Sequence, residues 1–151
     1  MTKKVLFVCH GNICRSPMAE SIFTGLAADA GMADAFEIDS AAVSTEEIGN
    51  DLYPPAKAEL RRRGVTIVPH RARQITRRDY EHFDLIVAMD HSNVRWLKRL
   101  LGGDPQGKVR LLMDFTGRGG EVSDPWYTDR FDVAFDDIEE GCRALLASLR
   151  A

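Results

Sequence analysis

Two runs of five apolar residues, Val5–Cys9 and Leu85–Met89, constrain this chain more than any other feature. Neither alternates with polar side chains, and each leads into a segment with helical spacing. A strand without a polar face must be covered on both sides, which is the condition of a strand inside a parallel sheet. Val5–Val8 therefore reads as the first buried strand. Ser16-Pro17 then opens a helix, with Ser suited to the N-cap and Pro to the first helical position. Ala19, Ile22, Phe23 and Leu26 mark its apolar face, and Gly31 is placed to end it.

The same alternation continues along the chain. Phe36–Ser40 reads as a second strand, and the polar, Pro-marked loop Val43–Pro55 leads to a helix over Ala56–Arg63, stopped by Gly64. Val65–Val68 reads as a strand or an ordered loop. Leu85–Met89 is the third strand, followed by a helix carrying Val94, Leu97, Leu100 and Leu101. Val109–Met113 is the fourth strand, Asp114–Arg130 a long loop, and Phe131, Phe135, Ile138, Cys142, Leu145 and Leu149 stripe a last helix. Strands alternating with helices predict an α/β fold, a small doubly wound domain with a parallel sheet of four strands and about five helices on both faces. No repeat or linker divides the chain, so residues 1–151 are expected to form a single domain. In such sheets ligands bind beyond the carboxyl ends of the strands, beside the first one.

Composition narrows the function classes. A 44% hydrophobic share supports a real core, and a net charge of −3 gives no ground for a nucleic-acid or membrane partner. The longest apolar runs fall far short of the ~20 residues of a membrane span, and the first is too short for a signal-peptide core. The expectation is a cytoplasmic protein that acts as a monomer. Three cysteines, an odd number, argue against a disulfide scaffold.

Chemistry concentrates after the first strand, in Cys9-His10-Gly11-Asn12-Ile13-Cys14-Arg15-Ser16-Pro17. A curled loop running into a helix N-terminus converges backbone N–H groups on a tetrahedral oxyanion. Gly11, and to a lesser degree Asn12, suit the positive φ that such a curl needs. Arg15 offers a planar fork to two phosphoryl oxygens. The same field favours the thiolate of Cys9, the form that reacts. Ser16 and Asn12 have side chains able to hold the loop. No Lys-Ser/Thr follows a Gly at the spacing of a Walker loop.

The nine residues from Cys9 to Pro17 resemble the signature of the low-molecular-weight protein-tyrosine phosphatases. The resemblance extends to Asp39-Ser40, His70-Arg71-Ala72-Arg73-Gln74, Ala88-Met89-Asp90 and Asp124-Pro125-Trp126-Tyr127, nearly end to end. It implies flavodoxin-like strand order 2-1-3-4 and hydrolysis of phosphotyrosine through a phosphocysteine, with Cys9 as nucleophile and Arg15 as phosphate clamp. His10, Gly11, Asn12, Ile13, Cys14 and Ser16 complete the phosphate-binding loop, and no metal or organic cofactor is expected.

A phenol leaving group, with a pKa of about 10, needs a proton. By residue type Asp124 is one of nine acids between Asp114 and Glu140; the resemblance singles it out as the general acid and base. It also implies that Trp126 and Tyr127 wall the substrate cleft, that Ser40 and His70 brace the loop near Asn12, and that Cys14 guards Cys9 by a reversible disulfide. The expected partner is a phosphotyrosine-bearing protein or peptide, with a tyrosine kinase system behind it. Glu46 stands where the best-known members often carry another aromatic wall, which suits a peptide with basic flanking residues. Asp90 reads simply as a helix N-cap and Cys142 as core.

Three rival readings share these residues. A protein-arginine phosphatase on the same scaffold would carry Thr where Ile13 stands. An arsenate reductase needs two more redox cysteines in the middle of the chain, and only Cys142 remains beyond Cys14. A non-catalytic phosphopeptide binder would have no need of a nucleophile. Charge is segregated, with seven Arg and no acid in Arg61–Arg78 against nine acids and two Arg in Asp114–Glu140. The basic stretch reads as a solvated face that could bring in phosphorylated substrates.

Overall fold

Both apolar runs lie in the middle of one sheet. In a computed structural model, which describes residues 2–150, β1 (Lys3–Cys9) pairs with β2 (Phe36–Ala42) on one side and β3 (Leu85–Ala88) on the other. β4 (Val109–Leu111) closes the far edge, giving four parallel strands in the order β2-β1-β3-β4. This is the topology implied by the resemblance. Val5 stands opposite both Ile38 and Leu85, and Ile86 opposite Val109.

The absence of a polar face in β1 and β3 is explained by the helices. Val5, Phe7 and Val87 point into one core layer with Met18, Ile22 and Phe23 of α1 (Arg15–Asp29), Leu60 of α2 (Pro54–Arg62) and Ile138 and Cys142 of α6 (Phe131–Arg150). Leu6, Val8, Ile86 and Ala88 point the other way, onto Tyr80 of α3 (Arg77–His82) and Leu97 of α4 (His91–Leu101). Successive strand residues face opposite layers, so Val5–Cys9 and Ile86–Ala88 are all buried. On the first face, Phe7 meets Phe23 edge-on at 5.7 Å, and Phe23 meets Phe36 at 5.2 Å.

The structure departs from the sequence pattern at several boundaries. α1 begins at Arg15 after Cys14, so Ser16 is not its N-cap; the Ser16 hydroxyl is spent on the loop below. α2 begins at Pro54, with proline in its first turn where no N–H is needed. Val65–Val68 forms no strand, because its amides bond Leu60 O and Ser21 Oγ rather than a ladder. β4 stops at Leu111, and Leu112–Thr116 tightens into a 3₁₀ turn that buries Leu112 and Met113. α3 was not anticipated, although Thr76 and Asp79 form a reciprocal capping box at its start. The long loop after residue 114 contains the end of that 3₁₀ turn and a one-turn helix, α5 (Pro125–Thr128).

α6 crosses the 3₁₀ turn at Gly141. A Cβ there would lie 2.5 Å from Leu112 Cγ, and Leu112 is fully buried. Helix propensity favours Gly141→Ala by about 1 kcal/mol, but overpacking a closed core costs about 1–3 kcal/mol. The packing term wins, and we expect the variant to melt at lower temperature than the parent in a thermal unfolding scan.

Candidate active site

The carboxyl end of β1 delivers Cys9 to the base of a cleft, and the chain then curls into α1. One residue makes the curl possible. Asn12 sits at φ +61°, in the left-handed region, and is fully buried. Gly11, which the sequence favoured for this role, has no left-handed φ. Asn12 holds the conformation because both side-chain amide protons and the side-chain oxygen have partners. Its Nδ2 donates to Ser16 Oγ at 2.8 Å and to Ser40 Oγ at 3.0 Å, while its Oδ1 accepts the Arg73 amide at 3.1 Å. Its own carbonyl lies 2.6 Å from His70 Nε2, which fixes that nitrogen as the donor.

These bonds orient the hydroxyls around Asn12. Ser16 accepts from Asn12, and its hydroxyl proton has two acceptors within reach, Cys9 Sγ at 3.0 Å and Ala41 O at 3.5 Å; a Cys9 thiolate, the nearer and charged one, takes it. The Asn12 amide N–H also points at that sulfur, at 3.3 Å. Two donors therefore converge on Cys9. Ser40 accepts from Asn12 and gives its proton to Glu20 Oε1 at 2.6 Å. Arg73 is itself held by Asp39 and Asp79, at 3.0 and 2.8 Å.

Arg15 is 2% exposed, and a charge so buried must be neutralised locally. Its Nη1 donates to Asp90 Oδ2 at 2.7 Å and to Val122 O at 2.9 Å, and its Nη2 lies 3.3 Å from Asp124 Oδ2. Burial opposes the charge, but Cys9, Asp124 and Asp90 outweigh it and hold the guanidinium's pKa up. Asp90 does two things. It caps α4 through the Asn93 amide, and it anchors the clamp.

Asp124 is pinned from the other side. Its Oδ1 accepts the Trp126 amide at 3.1 Å as the N-cap of α5, with Pro125 at the first helical position. Cys9, Arg15 and Asp124 all line one cleft, together with Ile13 and Glu47. Trp126 and Tyr127 form its outer wall, 53% and 84% exposed. Tyr53 supports that wall from behind, its ring 5.0 Å from Trp126 and 6.0 Å from Phe131. Glu46 reaches His10 Nε2 at 3.3 Å on the opposite rim. Cys14 also lines the cleft; burial, then the neighbouring Cys9 and Asp124, push its thiol up and keep it protonated. Cys142 lies outside this group, fully buried under α1.

The structure thus brings together Cys9, Arg15, Asp124, the loop residues, Ser40, His70, Glu46, Trp126 and Tyr127. Sequence reasoning did not single out Glu20, Arg73, Tyr53 or the clamp role of Asp90. Glu20 stands off the apolar stripe of Ala19, Ile22, Phe23 and Leu26, where a charged residue reads as solvent-facing, so the sequence gives no sign that it is buried.

A sequence model of low molecular weight phosphotyrosine protein phosphatases matches residues 4–151. The chain is 40% identical over 148 residues to the low molecular weight protein-tyrosine-phosphatase YfkJ of Bacillus subtilis, covering 97% of this chain and 95% of that one. A crystal structure of YfkJ superposes with a TM-score of 0.95 at 39% identity, covering 99% and 96% of the two chains. The low molecular weight phosphotyrosine protein phosphatase of Sus scrofa is 39% identical over 157 residues, covering 99% and 98%. The crystal structure of a Drosophila arginine phosphatase is also similar, with a TM-score of 0.88 and 32% identity over 97% and 98%.

Glu20 gives the bracing network a pH signature. Burial raises its carboxyl from 4.5 to about 7, although the Ser40 hydrogen bond pulls the other way. A carboxyl with a raised pKa binds its proton more tightly folded than unfolded. Its contribution to stability is therefore intact below about pH 4.5 and is lost as pH rises to about 7. Glu20→Gln keeps an oxygen for Ser40 and cannot ionise. Urea unfolding from pH 5 to pH 8 should show the variant losing less stability than the parent, by on the order of 2 kcal/mol.

Proposed function

The chain belongs to the low molecular weight phosphotyrosine protein phosphatase family, hydrolases of phosphoric monoesters, and from that premise we propose how its own residues carry the reaction. The substrate is a phosphotyrosine-bearing protein or peptide. Cys9 Sγ attacks phosphorus in line as the bond to the phenolic oxygen breaks. Arg15 and the loop amides hold the three equatorial oxygens, where charge is spread in the transition state. Asp124 gives its proton to the departing phenolate. The same carboxylate then takes a proton from water, whose oxygen attacks phosphorus, breaks the S–P bond and frees inorganic phosphate with the Cys9 thiolate.

The observation that carries this reading is the meeting of Cys9, Arg15 and Asp124 in one cleft, with Asn12 N–H and Ser16 O–H both directed at the sulfur. At 3.3 Å, the Arg15–Asp124 contact is longer than the Arg15–Asp90 bond and is the one a bound phosphoryl group would replace. Asp90 and Val122 would meanwhile keep the guanidinium in place. Cys14, lining the same cleft, is the thiol available to condense with an oxidised Cys9, releasing water and protecting it from further oxidation. The machinery lies within one chain, which supports a monomeric enzyme of a single domain. A free nucleophilic thiol suits the reducing cytoplasm. A tyrosine kinase is the class of enzyme that must supply the substrate.

An arginine phosphatase among the similar structures motivates a second reading, in which the phosphoryl group sits on a guanidinium nitrogen. Ile13, buried and apolar beside the cleft, offers that group no hydrogen bond. We therefore expect phosphotyrosine peptides to be cleaved with higher kcat/KM than phosphoarginine peptides; equal or faster turnover of phosphoarginine would overturn the choice.

The mechanism is tested by hydrolysis of a phosphotyrosine peptide in the presence of a chelator. Wild-type activity should survive, and Cys9→Ser should lose it altogether. Asp124→Ala should lower kcat by about 10²–10⁴-fold. Its deficit should shrink on p-nitrophenyl phosphate, whose leaving group needs a proton far less. Undiminished turnover in Cys9→Ser would remove the covalent route.

A further inference from the structure

The basic stretch noted in the sequence does not remain one uniform face. Arg62 and Arg63 are paired with Glu59, Arg63 also with Asp136, and Arg73 with Asp39 and Asp79. Arg61 and Arg71 have no carboxylate at ion-pairing distance among the described residues, and both line one groove with Lys57. Lys57 and Arg61 stand four residues apart on α2, where like charges cost a few tenths of a kcal/mol. Asp51 pairs with Lys57 and offsets one of the three charges. Among the described residues Arg61 and Arg71 remain uncompensated there, as Arg77 and Arg78 do farther along the stretch, but Arg61 and Arg71 alone of these four share one groove.

The groove wall is built in advance. Val68 N donates to Ser21 Oγ at 3.0 Å, and His70 is tied to the Asn12 carbonyl at 2.6 Å, so the segment carrying Arg71 is fixed on both sides of Pro69. The groove also connects with the catalytic cleft. Ile13 and Glu47 line both the cleft and a shallow groove beside it, and Asp51 and Lys57 line both that groove and the cationic one. A polypeptide with its phosphotyrosine in the cleft would run past Glu47 and the Asp51–Lys57 pair to reach Arg61 and Arg71.

We infer that Arg61 and Arg71, with Lys57, form a second substrate subsite that takes an anionic side chain, a carboxylate or a second phosphoryl group, on the same polypeptide as the phosphotyrosine. The inference rests on the phosphotyrosine-phosphatase reading above and adds what that reading leaves open, the part of the substrate outside the cleft. Arginine suits the role because its planar fork grips carboxylate and phosphoryl oxygens in pairs. Exposed pairs are individually weak and screened by salt, so the subsite tunes selection among peptides rather than supporting the chemistry.

The test compares peptides sharing one phosphotyrosine and flanked on either side by alanines, by glutamates or by a second phosphotyrosine. At low salt, wild-type kcat/KM should be about three- to tenfold higher for at least one anionic peptide than for the alanine peptide. Arg61→Ala/Arg71→Ala should bring the peptides level, and Arg61→Glu/Arg71→Glu should make the anionic peptides the poorer substrates. Turnover of p-nitrophenyl phosphate, which cannot reach the groove, should be unchanged in both variants. A preference for the doubly phosphorylated peptide alone assigns the subsite to phosphoryl groups, and a preference shared with glutamate assigns it to anionic side chains generally. Equal kcat/KM for all peptides in the wild type, or a preference that survives in both variants, would overturn the inference. Absence of turnover on every substrate would instead strike at the phosphatase reading. Fluorescence anisotropy of the same peptides on the Cys9→Ser protein, with and without the arginine substitutions, then reads the groove without turnover.

Discussion

The site depends on one buried amide. Asn12 holds a left-handed backbone conformation that costs an L-residue roughly 1–2 kcal/mol, and its side chain makes three hydrogen bonds that hold it there. Those bonds reach α1 through Ser16, β2 through Ser40 and the segment before α3 through Arg73. His70 adds a fourth attachment at the Asn12 carbonyl. A loop tied to so many separate elements has little freedom to relax. It therefore presents its donors to Cys9 before any substrate arrives, which is what electrostatic preorganisation requires.

Arg15 shows why a protein of net charge −3 can bind a phosphoryl dianion. The charge that matters is a single guanidinium, dehydrated and held by Asp90 and the Val122 carbonyl, beside the N-terminus of α1. Inside a low-dielectric cleft this acts more strongly than many solvated lysines would. The acidic C-terminal third does not oppose it, because five of its nine carboxylates are engaged by arginines elsewhere: Asp132 with Arg130, Asp136 with Arg63, Asp137 and Glu140 with Arg118, and Glu139 with Arg143. Asp124 is the carboxylate that the Pro125 turn brings to the cleft.

Much of the architecture was legible because burial on two faces leaves a mark in sequence. Val5–Cys9 and Leu85–Met89 read as central strands, and the stripe from Phe131 to Leu149 as the covering helix, since those patterns are set by packing alone. The phosphate loop was legible for another reason: anion binding restricts residue type position by position. What stayed hidden depends on contacts distant in sequence. Ser16 looked like a cap because nothing local shows that Asn12 and Cys9 occupy its hydroxyl. Gly11 looked like the residue with positive φ because the bonds that hold Asn12 come from residues 16, 40 and 73. Asp90 carried a genuine capping signal, and its second partner is 75 positions away. Glu20 gave no sign, since its partner Ser40 lies on the neighbouring strand.

The central claim is that Cys9 takes the phosphoryl group from the substrate. The most direct measurement is rapid acid quenching of Asp124→Ala protein turning over phosphorus-labelled p-nitrophenyl phosphate, whose leaving group departs without the acid, followed by digestion and mass mapping of the trapped phosphoenzyme. Slowed breakdown should let one phosphoryl group accumulate per chain, bonded to the sulfur of Cys9 and absent from Cys9→Ser. A phosphoryl group found on His10 or elsewhere, or none at all while product forms, would contradict the account.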